Sequence, residues 1–159
     1  MKGKLMIGPS RRVAMLAAGL APVAAPPVFG ATANPAEQAN IDLVTTFCLA
    51  WAEKNVEKLA PFLDDNIEYQ VFEGGPVIKG IAQFRAQMGG FMASMAEIRW
   101  KVFRSAAMGD LVLNERLDHF IRQPGSGRPD DHFRVTGVFV VRSGRILYWK
   151  DWNLSAKPG

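Results

Sequence analysis

Four long β-prone runs separated by short turns close the chain, and they limit its fold more than any other feature. They are "IRWKVFRSAAM" (98–108), "LVLNERLDHFIR" (111–122), "HFRVTGVFVVR" (132–142) and "RILYWKDWNL" (145–154), all rich in branched and aromatic residues. Gly109-Asp110, "QPGSGRP" and Ser143-Gly144 supply the turns. Such a meander needs a partner for its apolar face, and the residues before it supply helices. Asn34-Pro35-Ala36-Glu37 reads as a helix start, with Asn as cap, Pro at the first position and Glu at the third. Ile41, Val44, Cys48 and Trp51 then mark one face at helical spacing. "NVEKLAPFL" gives a second short helical turn that breaks near Pro61, and "IEYQVF" (67–72) gives a strand closed by "EGGP". From Gly80 to Met95 the pattern is helical again, with Ile81, Phe84, Met88 and Phe91 on one side. Gly89-Gly90 weakens that helix and suggests a close approach or a bend. The order predicts one α+β domain over 34–159: a cone-shaped, curved antiparallel sheet wrapped around N-terminal helices, with an interior apolar pocket.

Residues 1–33 read differently. A basic start is followed by a small and apolar run from Val13 to Phe29, ending in Ala31-Thr32-Ala33, the pattern of an export signal peptide. Arg11-Arg12 after Ser10 resembles a twin-arginine signal, and Pro22, Pro26 and Pro27 argue against a membrane-spanning helix. The expectation is export to the periplasm or beyond, with a cytoplasmic location if the signal is not processed. The net charge of +4 comes from this segment, where Lys2, Lys4, Arg11 and Arg12 precede the first acidic residue, Glu37. From residue 34 the chain is neutral, which gives it no general attraction to nucleic acid or to an anionic membrane.

Within "LVLNERLDHFIR", Arg116 and Asp118 are two residues apart and so share a strand face with Val112 and Phe120. Charge on an apolar face is costly unless it is paired or used. In "YWKDWN" (148–153), Asp151 shares a face with Trp149 and Asn153, and Tyr69 shares one with Ile67 and Val71. Two readings stand at this point. One is a buried ion-pair network, Arg116 satisfied by two aspartates, that only pins the sheet. The other is an acid–base pair: sharing one arginine in an apolar pocket favours one protonated and one ionised carboxyl, titrating as a unit.

The motifs "NERLDHF" (114–120) and "GVFVVRSGRILYWKDW" (137–152) resemble those of limonene-1,2-epoxide hydrolases, within the nuclear-transport-factor-2-like, ketosteroid-isomerase-like and SnoaL-like superfamily. The resemblance spans about residues 35–154. It implies cofactor-independent hydrolysis of a small apolar epoxide to a vicinal diol. Asp118 would be the general acid, Arg116 the bridge, Asp151 the base, and Tyr69 a holder of the attacking water. It also implies a homodimer paired through the open sheet. One departure is Val71, which stands where the family carries a second, water-holding asparagine. Asn114, on the Arg116 face, is a candidate substitute. Isomerase or cyclase chemistry on the same carboxylates, or ligand binding without catalysis, are the alternatives.

Val71, Phe120, Trp149, Phe139 and Met88 are expected to wall the pocket. His119 faces away from Asp118 and reads as a core or interface residue, while His132 follows a turn and reads as exposed. Two histidines without ligand spacing predict no metal site. Cys48 is the only cysteine, in "TTFCLAW", and reads as a small core residue.

Overall fold

The computed structural model describes residues 32–154, so the expected export signal lies outside the described residues except for its last two positions. Helix α1 (Pro35–Ala50) begins as expected. Asn34 accepts from the backbone N–H groups of Ala36 and Glu37, and the Glu37 carboxylate returns to the Asn34 N–H. Val44, Phe47 and Cys48 form its buried face, continued by Trp51 in a 3-10 turn (Trp51–Glu53). Helix α2 (Val56–Leu59) and a second 3-10 turn (Ala60–Phe62) lead into strand β1 (Leu63–Gln70).

The strand starts four residues before the expected 67–72 and ends two before it. Its first half, Leu63 to Glu68, pairs irregularly, which blurs the alternation on which a sequence reading depends. A three-residue strand β2 (Val77–Lys79), too short to show a period, pairs antiparallel with β1. Helix α3 (Ile81–Ala93) runs through Gly89-Gly90. A methyl group at Gly89 would meet only Val56 at an ordinary 3.9 Å, and one at Gly90 would meet nothing, so neither marks a close approach. Met95 belongs to the following strand.

That strand, β3 (Met95–Met108), opens the meander of β4 (Leu111–Arg122), β5 (Asp131–Arg142) and β6 (Arg145–Asn153). Ser143 and Gly144 both take positive φ, 50° and 72°, as a two-residue hairpin turn requires. The sheet order is β2-β1-β6-β5-β4-β3. It is antiparallel except between β1 and β6, which run parallel, the chain returning to β1 only after five intervening elements. Register shifts at Met95/Glu97, Val102/Arg104 and Val140/Val141 interrupt the long strands. Such bulges bend a sheet, and this one curves around the helices.

Between the helices and the concave face of the sheet, Phe47, Trp51, Ile67, Phe84, Ile98, Val112, Phe139 and Trp149 form one apolar core. Along β4 the burial alternates strictly, with Val112, Asn114, Arg116, Asp118 and Phe120 inward. No described helix is long and apolar enough to cross a membrane.

Candidate active site

Arg116 is the largest polar side chain buried outright, at 0 % exposure. Its Nε–H donates to both oxygens of Asp118, at 2.9 and 3.0 Å. Its Nη2 donates to Asp151 Oδ2 at 2.7 Å, and its Nη1 to Asn114 Oδ1 at 3.2 Å. The ring of Trp100 lies 4.4 Å from the guanidinium carbon. Burial alone would depress the guanidinium's pKa, but the two carboxylates offset that and hold it above its ordinary value.

Reaching Asp151 requires Arg116 to cross β5. In register, Asn114 stands opposite Gly137, and Gly137 opposite Asp151. A methyl group on Gly137 would sit 2.4 Å from Arg116 Nη1 and 2.7 Å from Asn114 Oδ1. The glycine at the head of "GVFVV" is therefore a seat for the guanidinium. Its place in that motif was the available signal, although the residue carries no functional group.

The two carboxylates are not equivalent. Burial pushes both upward, Asp118 to about 7. Asp118 takes both its bonds from the single Nε–H of Arg116. Asp151 receives a separate donor on each oxygen: Arg116 on Oδ2, and Trp149 Nε1 on Oδ1 at 2.7 Å. Two independent donors favour the ionised form of Asp151, whereas Asp118 has the single Nε–H of Arg116.

Both aspartates line one cavity of about 340 Å³. Tyr69, Val71, Met88 and Phe120 line it too, joined by Trp51 and Trp100, which stack at 4.5 Å. The Tyr69 hydroxyl is pushed well above its ordinary pKa by burial, so it remains a proton donor. Trp149 and Phe139, expected in the wall, lie beneath it instead. Tyr69, Trp149 and Phe139 are direct partners on β1, β6 and β5, and their rings stack in that order at 3.7 and 5.6 Å. Strand parity put them on the correct face, but they sit deeper than the cavity.

Asn114 does not line the cavity. Its Oδ1 serves Arg116, and its Nδ2 donates to Cys48 Sγ at 3.3 Å. Burial pushes the Cys48 thiol up to about 12, so it is a protonated core group. His119 and His132 meet on the opposite face of the sheet, Nδ1 to Nδ1 at 2.7 Å, with His132 exposed as expected. Among the described residues no group of three or more His, Cys, Asp or Glu is arranged to hold a metal.

A family model described as the limonene-1,2-epoxide hydrolase catalytic domain matches residues 38–154. The structure of an M. tuberculosis LEH-like epoxide hydrolase is similar, at 28 % identity and TM-score 0.66, over 75 % of this chain and 85 % of that one. A candidate SnoaL-like polyketide cyclase from Jannaschia sp. CCS1 has TM-score 0.66 at 14 % identity, over 79 % of this chain and 92 % of that one. Another, from Shewanella denitrificans OS-217, has TM-score 0.64 at 15 % identity, over 72 % and 89 %. These last two share the fold. No curated protein matches the chain.

Proposed function

This chain belongs to the limonene-1,2-epoxide hydrolase family, and on that footing we propose that it opens an epoxide to a vicinal diol in one step. The observation that carries the reading is the inequivalence of two carboxylates on one buried guanidinium, both facing one cavity. Asp118, with its pKa near 7, is the acid that protonates the epoxide oxygen as the C–O bond breaks. Asp151 takes a proton from the water whose oxygen forms the new C–O bond. Arg116 joins the two, and the proton gained by Asp151 returns to Asp118 before the next turnover. Tyr69, which lines the cavity with Asp151, orients the water, and an in-line arrangement of water and ring supplies much of the remaining acceleration. No residue forms a covalent intermediate.

The apolar walls, Val71, Met88 and Phe120, support a small hydrophobic ring beside the reacting carbons. One observation favours a second reading. Val71 lines the cavity where a water-holding side chain would serve hydrolysis, and Asn114 is committed to Arg116 and Cys48. A drier floor suits an isomerase or cyclase, in which Asp151 takes a carbon-bound proton or directs an internal hydroxyl.

Turnover of limonene oxide, cyclohexene oxide and styrene oxide in ¹⁸O water separates the two. Labelled diol from the wild type, lost in folded Asp118→Asn and Asp151→Asn, supports hydrolysis. No diol from folded wild type, with diol appearing in Val71→Asn, supports the drier chemistry.

The reading extends to a homodimer. The outer sheet face carries half-buried Leu113, Leu117 and Ile121 and exposed Phe103, which suits pairing between two sheets. Light scattering of the purified chain tests it, and a monomer at micromolar concentration would refute it.

A further inference from the structure

The cavity changes character along β4. Asp118, Phe120 and Arg122 occupy successive inward positions of that strand, and all three line the cavity. Four residues of strand separate Asp118 from Arg122, roughly 13 Å. Between them the walls are apolar, with Met88 and Phe91 facing from α3. At the far end the lining is charged: Arg122, Arg128 from the β4–β5 connection, and Asp131.

The pairing of these charges is incomplete. Arg122 Nη2 pairs with Asp131, and that guanidinium is mostly buried, at 12 % exposure. Its Nε–H is buried without an acceptor among the described residues, and an unmatched buried donor is costly. Arg128 forms no ion pair among the described residues. Asp130, whose Oδ1 accepts from the Arg122 backbone N–H at 2.8 Å, brings a second carboxylate to this end, but neither aspartate forms an ion pair with Arg128 or accepts from Arg122 Nε. Among the described residues no side chain supplies the acceptor that would complete this end.

We propose that this cavity binds amphiphilic ligands bearing a carboxylate, with the carboxylate held at the opening by Arg128 and Arg122 and the apolar end directed toward Asp118 and Asp151. Joined to the hydrolase reading, on which this part rests, the substrate class is an epoxy acid whose oxirane and carboxylate are separated by about the length of β4 between Asp118 and Arg122. The unpaired Arg128 and the unmatched Nε–H of Arg122 call for an acceptor, and a carboxylate suits the fork of a guanidinium. A doubly charged head would instead be repelled by Asp131.

The test is calorimetric and independent of turnover. Full-length protein is titrated with 6-phenylhexanoate and with 6-phenylhexanamide, which have the same length and ring but differ in charge. The acid is expected to bind at least tenfold more tightly than the amide in low salt, with the gap shrinking as salt is added. Arg128→Gln is expected to remove most of that gap while leaving the amide within twofold. Arg122→Gln should do the same, and because Arg128 lies in a loop its variant keeps the test decisive even if Arg122→Gln disturbs the hairpin. Equal affinities for acid and amide in the wild type, no binding of either, or an acid preference that survives Arg128→Gln would each overturn the proposal. Acid preference without labelled diol from any epoxide would count against hydrolysis and leave the anion site standing. Labelled diol without acid preference would do the reverse.

Discussion

Glu115 and Arg116 are neighbours on β4 whose side chains leave opposite faces of the sheet, and each is held between two residues of opposite charge. Outside, Glu115 accepts from Arg104 Nε at 2.5 Å and from Arg134 Nε at 2.7 Å. Inside, Arg116 donates to Asp118 and Asp151. The two triads are charge-inverted copies one residue apart, and solvent separates their properties. The outer arginines are 78 % and 50 % exposed, whereas Arg116 is 0 % exposed and its aspartates 4 % and 7 %. Water and salt screen the first set and reach little of the second. A triad in water is a weak tie, whereas the same arrangement out of water holds a proton in dispute.

The largest effect that would break this contrast is removal of each centre. Arg116→Gln leaves two buried carboxylates without their cation, and breaking a buried pair in this way costs about 3–5 kcal/mol. Turnover is expected to vanish with it. Glu115→Gln is expected to produce only a small loss of melting temperature, which disappears in high salt. Urea unfolding of both variants at pH 7 checks the pair, and comparable losses would mean that burial is not what distinguishes the triads.

Next in size is the seat. Gly137→Ala drives a methyl group to 2.4 Å from Arg116 Nη1, and overpacking of this kind costs about 1–3 kcal/mol. Turnover should fall further than stability does, because the guanidinium must move off Asp151. Thr136, the adjacent residue, stands opposite Glu115 on the outer face. Thr136→Ala is expected to stay within about 0.5 kcal/mol of wild type.

The two triads also respond to pH with opposite sign. Burial raises Asp118 from 3.8 to about 7, so the folded state binds a proton that the unfolded chain has released. Its contribution to stability is complete below about pH 4 and is lost as pH rises through 7, at up to about 1.4 kcal/mol per unit. Asp151 is raised as well and adds the same sign. Glu115 is lowered from 4.5 by hydrogen bonds from Arg134 and Arg104, so its contribution is present above that value and is lost as pH falls through the depressed one. Urea titrations of Asp118→Asn and Glu115→Gln between pH 3 and 8 should each flatten one side of the profile. A single variant that flattened both sides would overturn the assignment.

Much of the inner triad was legible because β4 alternates without interruption: parity alone put Asn114, Arg116, Asp118 and Phe120 on one face. The same rule placed Asp151 with Trp149. Parity gives the side of a sheet but not the depth, which is why Trp149 and Phe139 were expected in the cavity wall and lie below it. Asn114 was on the right face for water and is taken by Arg116 and Cys48, a choice made by three-dimensional neighbours 66 residues apart. The parallel pairing of β1 with β6 is a long-range event with no local signal, and β2 is too short to have a period. Arg128 lies in a loop whose position depends on how the hairpin closes, so nothing in "QPGSGRP" pointed to the cavity.

The smallest predicted effect concerns the feature that the outer triad lacks. Glu115 is held by two charged partners, while Asp151 has one charged partner and a neutral second donor in the indole of Trp149. That bond accounts for the difference between the inner carboxylates, since Arg116 serves both. Trp149→Phe keeps a flat ring against Tyr69 and Phe139 and deletes the donor, while leaving a gap where the larger, fully buried indole packed. Asp151 loses a bond to its ionised form and its pKa rises further, which leaves less of it ionised as the base at lower pH. The expected result is about a fivefold loss in kcat, on the order of 1 kcal/mol, with KM unchanged. The acid limb of the pH–rate profile should move to higher pH. If kcat falls uniformly across the profile with the limb unmoved, the indole acts only through packing, and the asymmetry of the two aspartates has to arise from burial instead.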